Sequence, residues 1–340
     1  MLQFDNQTPF SCEGVIGMDA GGRDALILVV KGTFQILPKV TVAKEQVPVT
    51  LVDEYVGEPG FSSILTPSDV LLPKPGFDVV FKGHAHAPGG RPVPALMAAM
   101  AFGGGQKAFR VTGDRFWTRG RMSSPEPFVE LPLIYENTFG GVHHFKPDLP
   151  LGPESCVAVA GNPVGTGFAG KRKSEELEGM RMPNIERPDR LISAPSDQGV
   201  SVGLGAIAPM WVPRRSYAGT YDQHWIDAVA PALPADFDSR FFQVGAEGLR
   251  FEAGSLNGGE PIRLVNLSPE PDIRFEVPLC PLQAKVVMSS KPQDLPLKIE
   301  TLVIEPDENR FSLVWKGLFS CERKATLIES VSVCFAKLGN

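Results

Sequence analysis

The sequence predicts a mainly β protein: antiparallel, sandwich-like sheets joined by long irregular connections, with one or two short helices. Three observations lead there. Segments rich in Val, Ile, Leu and Phe recur between clusters of turn residues, the pattern of strands separated by turns. Gly (35) and Pro (32) make up roughly a fifth of the 340 residues, against about an eighth in an average chain. Proline in a helix interior costs about 3 kcal/mol, and few stretches here run long without one. Finally, two stretches carry a hairpin pattern, in which a short loop separates two apolar runs.

In chain order, strands are expected first at Ala25–Ile36, Phe77–Lys82, Phe109–Thr112 and Phe128–Tyr135. Ala25–Val30 is one of the two longest clean apolar runs, and Ala95–Phe102 is the other. Further on, Ile262–Leu267 and Ile273–Val277 form a hairpin around Ser268–Asp272. Leu297–Ile304 and Phe311–Trp315 form a second one around Glu305–Asn309, and Ser330–Ala336 is the last strand. Val30-Lys31-Gly32, Phe81-Lys82-Gly83 and Trp315-Lys316-Gly317 echo one another. A strand that ends in Gly before a bend accounts for the echo.

The stretch from Gly140 to Pro213 is different, dense in Gly, Pro and polar residues with few periodic segments. Stretches of this length without regular structure are often functional. One helix follows, near 221–230. Thr220 or Asp222 can cap it, Trp225, Ile226 and Val229 give an apolar face, and Pro231 lies at its end. The chain thus divides into a β-rich part (1–142), an irregular middle (143–245) and a second β-rich part (246–340) that can pack with the first as one body.

A net charge of −6, from 33 basic and 39 acidic residues, does not suit a protein that coats nucleic acid or an anionic membrane. MLQFDNQTPF at the start has no basic region followed by a long apolar core, which argues against a signal peptide. No apolar run approaches the ~20 residues of a membrane span. The five cysteines are widely spaced and form no C-x-x-C, so reduced thiols and a cytoplasmic protein are expected.

Several motifs invite a chemical reading. GNPVGTGFAGKR, residues 161 to 172, fits the glycine and lysine positions of a phosphate loop and also the G-x-G-x-x-G spacing. Arg172 stands where the magnesium-binding hydroxyl belongs. The following KRKSEELEGM has only Leu177 and Met180 to pack a helix, and no βαβ alternation surrounds it. A structural or partner-facing loop is the better reading: Pro163 fixes a turn, the glycines permit positive φ, and Phe168 anchors the loop. No cofactor is expected.

His84 and His86, two residues apart, could meet one metal from one face of a strand, with His143 and His144 as further donors. That supports an alternative reading as a metal-dependent enzyme or hydrolase on a β-sandwich. Hydrogen-bonded turn histidines are the plainer account. H-E-x-x-H is absent. Asp53, Glu54 and Glu58 cluster beside Gly57 and Pro59, as acids in a solvated turn do.

RRSYAGTYDQHW followed by APALPADFDSRFF concentrates Arg, Tyr, Trp and Phe, the residue types that dominate protein–protein hot spots. Trp225, Phe241 and Phe242 are expected in the core, and Asp236 and Asp238 in turn hydrogen bonds. Chemistry alone selects Asn162, Phe168, Arg214, Arg215, Tyr217 and Tyr221 as partner-binding candidates.

A series of stretches spans nearly the whole chain: VVKGTF (29–34), DEYVGEPG (53–60), KGHAHAPGGRP (82–92), GDRFW (113–117), YENTFGG (135–141), NPVGTGF (162–168), AGTYDQHW (218–225), LPADFDSRFF (233–242) and GGEPIRLVNLSP (258–269). In order and spacing they resemble a bacterial domain-of-unknown-function family encoded in type VI secretion clusters, often beside spike and PAAR-tip genes. The resemblance implies a non-catalytic adaptor or chaperone. Its protein partners would be a secretion effector, a PAAR tip protein and the spike protein, and it assigns no catalytic or binding residues. Lys171 lies outside the resembling segment.

Overall fold

The strand Asp24–Gln35 organises the protein. It pairs antiparallel with Ser11–Met18 on one side and with Arg310–Ser320 on the other. Lys298–Glu305 follows Arg310–Ser320, then Gly76–Phe81 running parallel to it, then Arg250–Glu252. The short Thr41–Val42 completes this seven-stranded sheet, in which strands from both ends of the chain lie side by side. The structure is a computed structural model and describes residues 3–103, 105–322 and 324–336. Beside the large sheet lie a five-stranded sheet and a four-stranded sheet. The first runs in the order Ile185–Glu186, Gly105–Thr112, Ala95–Phe102, Pro261–Val265, Asp272–Glu276. The second runs Gln3–Asn6, Ile328–Phe335, Leu282–Met288, Lys291–Leu295.

Side chains alternate across a strand, so each face of the large sheet has its own composition. One face presents Leu26, Leu28, Val30, Phe34, Leu302 and Phe311, which join buried residues of both smaller sheets in the main core. Phe311 stacks on Phe34 at 5.2 Å and on Phe275 of the five-stranded sheet at 5.1 Å. Fully burying a side chain of this kind stabilises by about 1.5–3 kcal/mol.

The other face is covered by irregular chain. Val49, Val70 and Leu72 pack on Ile27, Val29 and Val314, while Ala206, Ile207, Trp211 and Val244 pack with Val80. Charges are buried beneath this cover. Lys31 Nζ lies 2.9 Å from Asp69 Oδ2, Lys74 Nζ 2.7 Å from Asp78 Oδ2, and Lys316 Nζ 3.1 Å from Glu300 Oε2. Lys82 pairs with Glu305 at 3.0 Å. Thr50 and Thr301 accept further hydrogen bonds from Lys31 and Lys74. Burial pulls the Lys316 ammonium below the ordinary lysine range, against the opposing attraction of Glu300.

Most predicted strands lie where expected, and both hairpins form. Asn309 turns the second hairpin at φ 51°. The helix is Gln223–Ala228, capped by Asp222, whose carboxylate accepts from the Trp225 amide at 2.9 Å. Several details differ. Phe128–Tyr135 shrinks to the strand Glu130–Pro132 and a 3₁₀ turn, Tyr135–Asn137. Ala95–Phe102, all helix formers and apolar residues, is a central strand because it is paired on both edges. Ile226 is exposed rather than part of an inward face. The Lys-Gly echo does not mark strand ends, for Lys31-Gly32 and Lys316-Gly317 lie inside long strands. Each lysine enters a buried or half-buried ion pair. Gly32 leaves room for the Phe10 ring, and Gly317 for Leu295 and Leu297. No helix among the described residues is long and apolar enough to cross a membrane.

Breaking a buried pair strands one charge in the interior. Lys31→Ala or Asp69→Ala alone should therefore cost about 3–5 kcal/mol in urea unfolding. Lys31→Met combined with Asp69→Leu should recover most of that loss. A double variant as unstable as either single one would show that the pairing is not what the site requires.

Candidate partner-binding surface

The loop at 161–172 is fastened to the body from end to end. Asn162 is fully buried, and its amide donates to Tyr135 O at 2.9 Å and to Thr138 Oγ1 at 2.8 Å. Gly165 lies so close to the Asn162 side chain and to the Gly140 backbone that a Cβ would collide with both. Thr166 and Gly167 pair in parallel with Phe139 and Gly140. The half-buried Phe168 packs in the cluster of Trp117, Phe139, Met182 and Ile192. The Lys171 amide donates to His143 Nδ1 at 3.0 Å, and its ammonium sits 3.8 Å from the centre of the Phe145 ring. The Arg172 guanidinium donates to Phe168 O. A phosphate cradle needs amides that are free and convergent. Here those of Thr166, Phe168, Lys171 and Arg172 already have protein acceptors. A 3₁₀ turn, Ser174–Leu177, stands where the phosphate-binding helix would begin.

The arginine- and tyrosine-rich stretch splits between interior and surface. Arg214 is 2% exposed. Its guanidinium donates to Ile207 O at 2.6 Å and Phe241 O at 2.9 Å, and lies over the Phe241 ring. Burial brings it down to about 10, against the pull of Asp53 and Asp78. Arg215, the next residue in the same 3₁₀ turn, is exposed. Beside it, the Arg240 guanidinium stacks 4.4 Å from the centre of the half-buried Tyr217 ring. Tyr221, 51% exposed, meets Trp225 edge to face at 4.7 Å. Trp225 is half-buried and donates from Nε1 to Ala232 O at 2.9 Å. Asp236 accepts from the amide and the hydroxyl of Thr220, and Asp238 accepts from the Arg240 amide. These are the turn bonds expected of the two aspartates. Phe241 and Phe242 are only half-buried and pack edge to face on each other.

Two partner-binding candidates are therefore corrected: Asn162 and Arg214 are internal struts, held there by carbonyls that need donors. Phe168 serves as the anchor of its loop. Arg215, Tyr217 and Tyr221 lie on one locally braced stretch, together with Trp225, Ile226 and Arg240. Met210, four residues before Arg214, is 70% exposed, and a lone methionine carries no pattern in a sequence.

The histidine pairs are not brought together. His84 and His86 lie on a short strand paired with Glu130–Pro132, and both turn to one carboxylate. His84 Nδ1 is 2.8 Å from Asp307 Oδ2, and His86 Nε2 is 2.6 Å from Asp307 Oδ1. Asp307 belongs to the turn between Lys298–Glu305 and Arg310–Ser320, so the contact ties that hairpin to the histidine strand. His143 takes the Lys171 amide, and His144 Nε2 meets Leu149 O at 2.9 Å. Among the described residues no group of three His, Cys, Asp or Glu is placed to hold a metal ion. Sequence spacing held no sign of Asp307, 221 residues from His86.

The chain belongs to DUF2169, a family of uncharacterized proteins conserved in bacteria, which it matches over residues 21–316. No curated protein and no solved structure matches it. The family description names no activity and makes no mention of secretion.

His143 provides a pH test of the loop. Burial, with Arg172 adding to it, holds the imidazole below its ordinary value, and the neutral ring accepts the Lys171 proton. The unfolded chain thus binds a proton more readily than the folded one. The stabilisation is complete above the ordinary histidine pKa of about 6.5 and is lost as pH falls below it through the folded value. The protection factor of the Lys171 amide in hydrogen exchange should drop across that window. His143→Gln, which keeps an acceptor but does not titrate, should show no such drop.

Proposed function

We propose that this DUF2169 protein is a non-catalytic, cytoplasmic adaptor or chaperone of type VI secretion. It would bind an effector, a PAAR tip protein or both, and assist loading onto the spike. The observation that carries this reading is the exposed stretch around Arg215, Tyr217, Tyr221 and Trp225, braced by its own hydrogen bonds and ring contacts. Tyr, Trp and Arg supply most of the energy at protein interfaces. Side chains already held in place lose less entropy on binding. The placement in secretion is supported by the ordered series of sequence stretches from VVKGTF to GGEPIRLVNLSP. Such a surface would cover an apolar or unstable region of a client and release it when the client docks on the spike.

Co-purification with effector and PAAR proteins encoded beside the gene tests the reading. Tyr221→Ala and Arg215→Ala should each weaken client affinity by roughly 30-fold if they are hot spots, with thermal unfolding unchanged. Folded variants that bind within about twofold of the wild type would remove this surface from the account. One stoichiometric metal ion per chain, lost in a His84→Ala/His86→Ala double variant, would favour the metal-dependent alternative instead.

A further inference from the structure

The five-stranded sheet ends on an open edge. Its last strand, Asp272–Glu276, pairs with Pro261–Val265 and with no other strand among the described residues. The parity of the ladder shows which backbone groups are free. The Asn266 amide donates to Pro271 O, and the Val277 amide donates to Glu260 O. Alternate residues of an antiparallel pair turn their N–H and C=O groups in opposite directions. Residues 271, 273, 275 and 277 thus face the neighbouring strand, and Asp272, Arg274 and Glu276 face outward. Among the described residues, no backbone group of those three residues bonds to another segment. Ile273 and Phe275 turn their side chains into the core.

A cleft of about 1150 Å³ lies along this edge. Its lining includes Arg274 and Glu276 of this strand, Ala101 and Arg263 of the two strands inward of it, and Leu37, Lys39 and Val40, where the chain leaves the strand Asp24–Gln35. Its charge is unbalanced. Arg263 stands directly opposite Arg274 in the ladder, and like charges in that relation destabilise a sheet. Both guanidiniums depend on the single carboxylate of Asp272, at 2.8 and 3.3 Å. Lys39 is exposed and makes no ion pair among the described residues. Even counting Glu276, the cations around the cleft outnumber the carboxylates.

We infer that this edge accepts an extended polypeptide segment as a sixth strand, apolar at alternate positions and carrying a carboxylate opposite Arg274. The outward N–H and C=O groups of Asp272, Arg274 and Glu276 supply the main-chain ladder. Inward side chains of the added strand cover Leu37 and Val40. The outward carboxylate relieves the opposed Arg263 and Arg274. In the proposed adaptor role a client would supply the segment, and to that extent the assignment rests on that role. The edge itself is tested without any client.

The probe is a fluorescein-labelled peptide of about eight residues, long enough to span the strand, alternating Val with Glu. A twin alternates Val with Lys. In anisotropy titrations of the full chain, the Glu peptide should bind at least about tenfold tighter than the Lys twin, and Arg274→Glu should reverse the order. Arg274→Pro removes an outward N–H and leaves the inner ladder intact, so it should abolish binding of both peptides with unchanged thermal unfolding. If the proline variant unfolds, the reversal by Arg274→Glu decides alone. Equal binding of the two peptides, no binding by the wild type, or full binding by a folded Arg274→Pro variant would overturn the assignment. So would a dimer that binds neither peptide and is dissolved by Arg274→Glu, which would give the edge to a second copy of the chain. Client binding through Tyr221 is measured separately, so failure of either proposal leaves the other standing.

Discussion

The strand Asp24–Gln35 is buried on both faces from Ala25 to Phe34, and most of the architecture follows from that constraint. A strand in an antiparallel sheet commonly has one wet face. Here the five- and four-stranded sheets cover one side, and among the described residues no sheet of more than two strands covers the other. Irregular segments from the 43–75 and 200–245 regions fill that role instead. Irregular chain brings carbonyls and amides that no ladder satisfies, and buried polar groups must find partners. Arg214 on Ile207 O and Phe241 O, and Lys31 on Asp69 and Thr50, are answers to that demand. Such ion pairs contribute little net stability compared with apolar residues of the same volume, yet leaving one partner alone is costly.

The same constraint separates what was legible in the sequence from what was not. Runs such as ALILVV state their own burial, and EPDEN between two apolar runs states a turn. Asp222 before the helix could be read because capping is local chemistry. Ala95–Phe102 could not, since ALMAAMAF favours helix on its own and becomes a strand only through neighbours at 105–112 and 261–265. The buried lysines were hidden for a related reason. A lysine followed by glycine looks like a strand end, and only the acid brought over it from a distant segment shows otherwise. Asp69 is 38 residues from Lys31 in sequence.

At the candidate surface the limit is finer. Composition singled out this stretch but could not tell Arg214 from Arg215. The two share a 3₁₀ turn and differ in which way they project: one into carbonyls of the cover, the other into solvent. Asn162 is a similar case. Beside Pro163 and the glycines it looks like a loop-tip residue, but its amide bonds to Tyr135 and Thr138 show that the loop lies against the body. The glycines resemble a phosphate loop because both kinds of loop need close backbone approach. Here the approaching backbone is the protein's own.

Long connections usually carry function because they lie on the surface and are free to vary. In this protein much of the connecting chain is cover for the large sheet and is fastened by side-chain amides, guanidiniums and buried ion pairs. Accessible features include a short helix held by its cap and ring contacts, and strand edges where a sheet stops. The cover pairs its cations internally, Lys31, Lys74 and Lys316 each with a carboxylate. The edge strand Asp272–Glu276 is different, since Arg263 and Arg274 share one. A fold that takes trouble to neutralise charge where it is buried, and leaves two guanidiniums opposed where it is open, has placed its unmet electrostatic demand where another molecule can reach it.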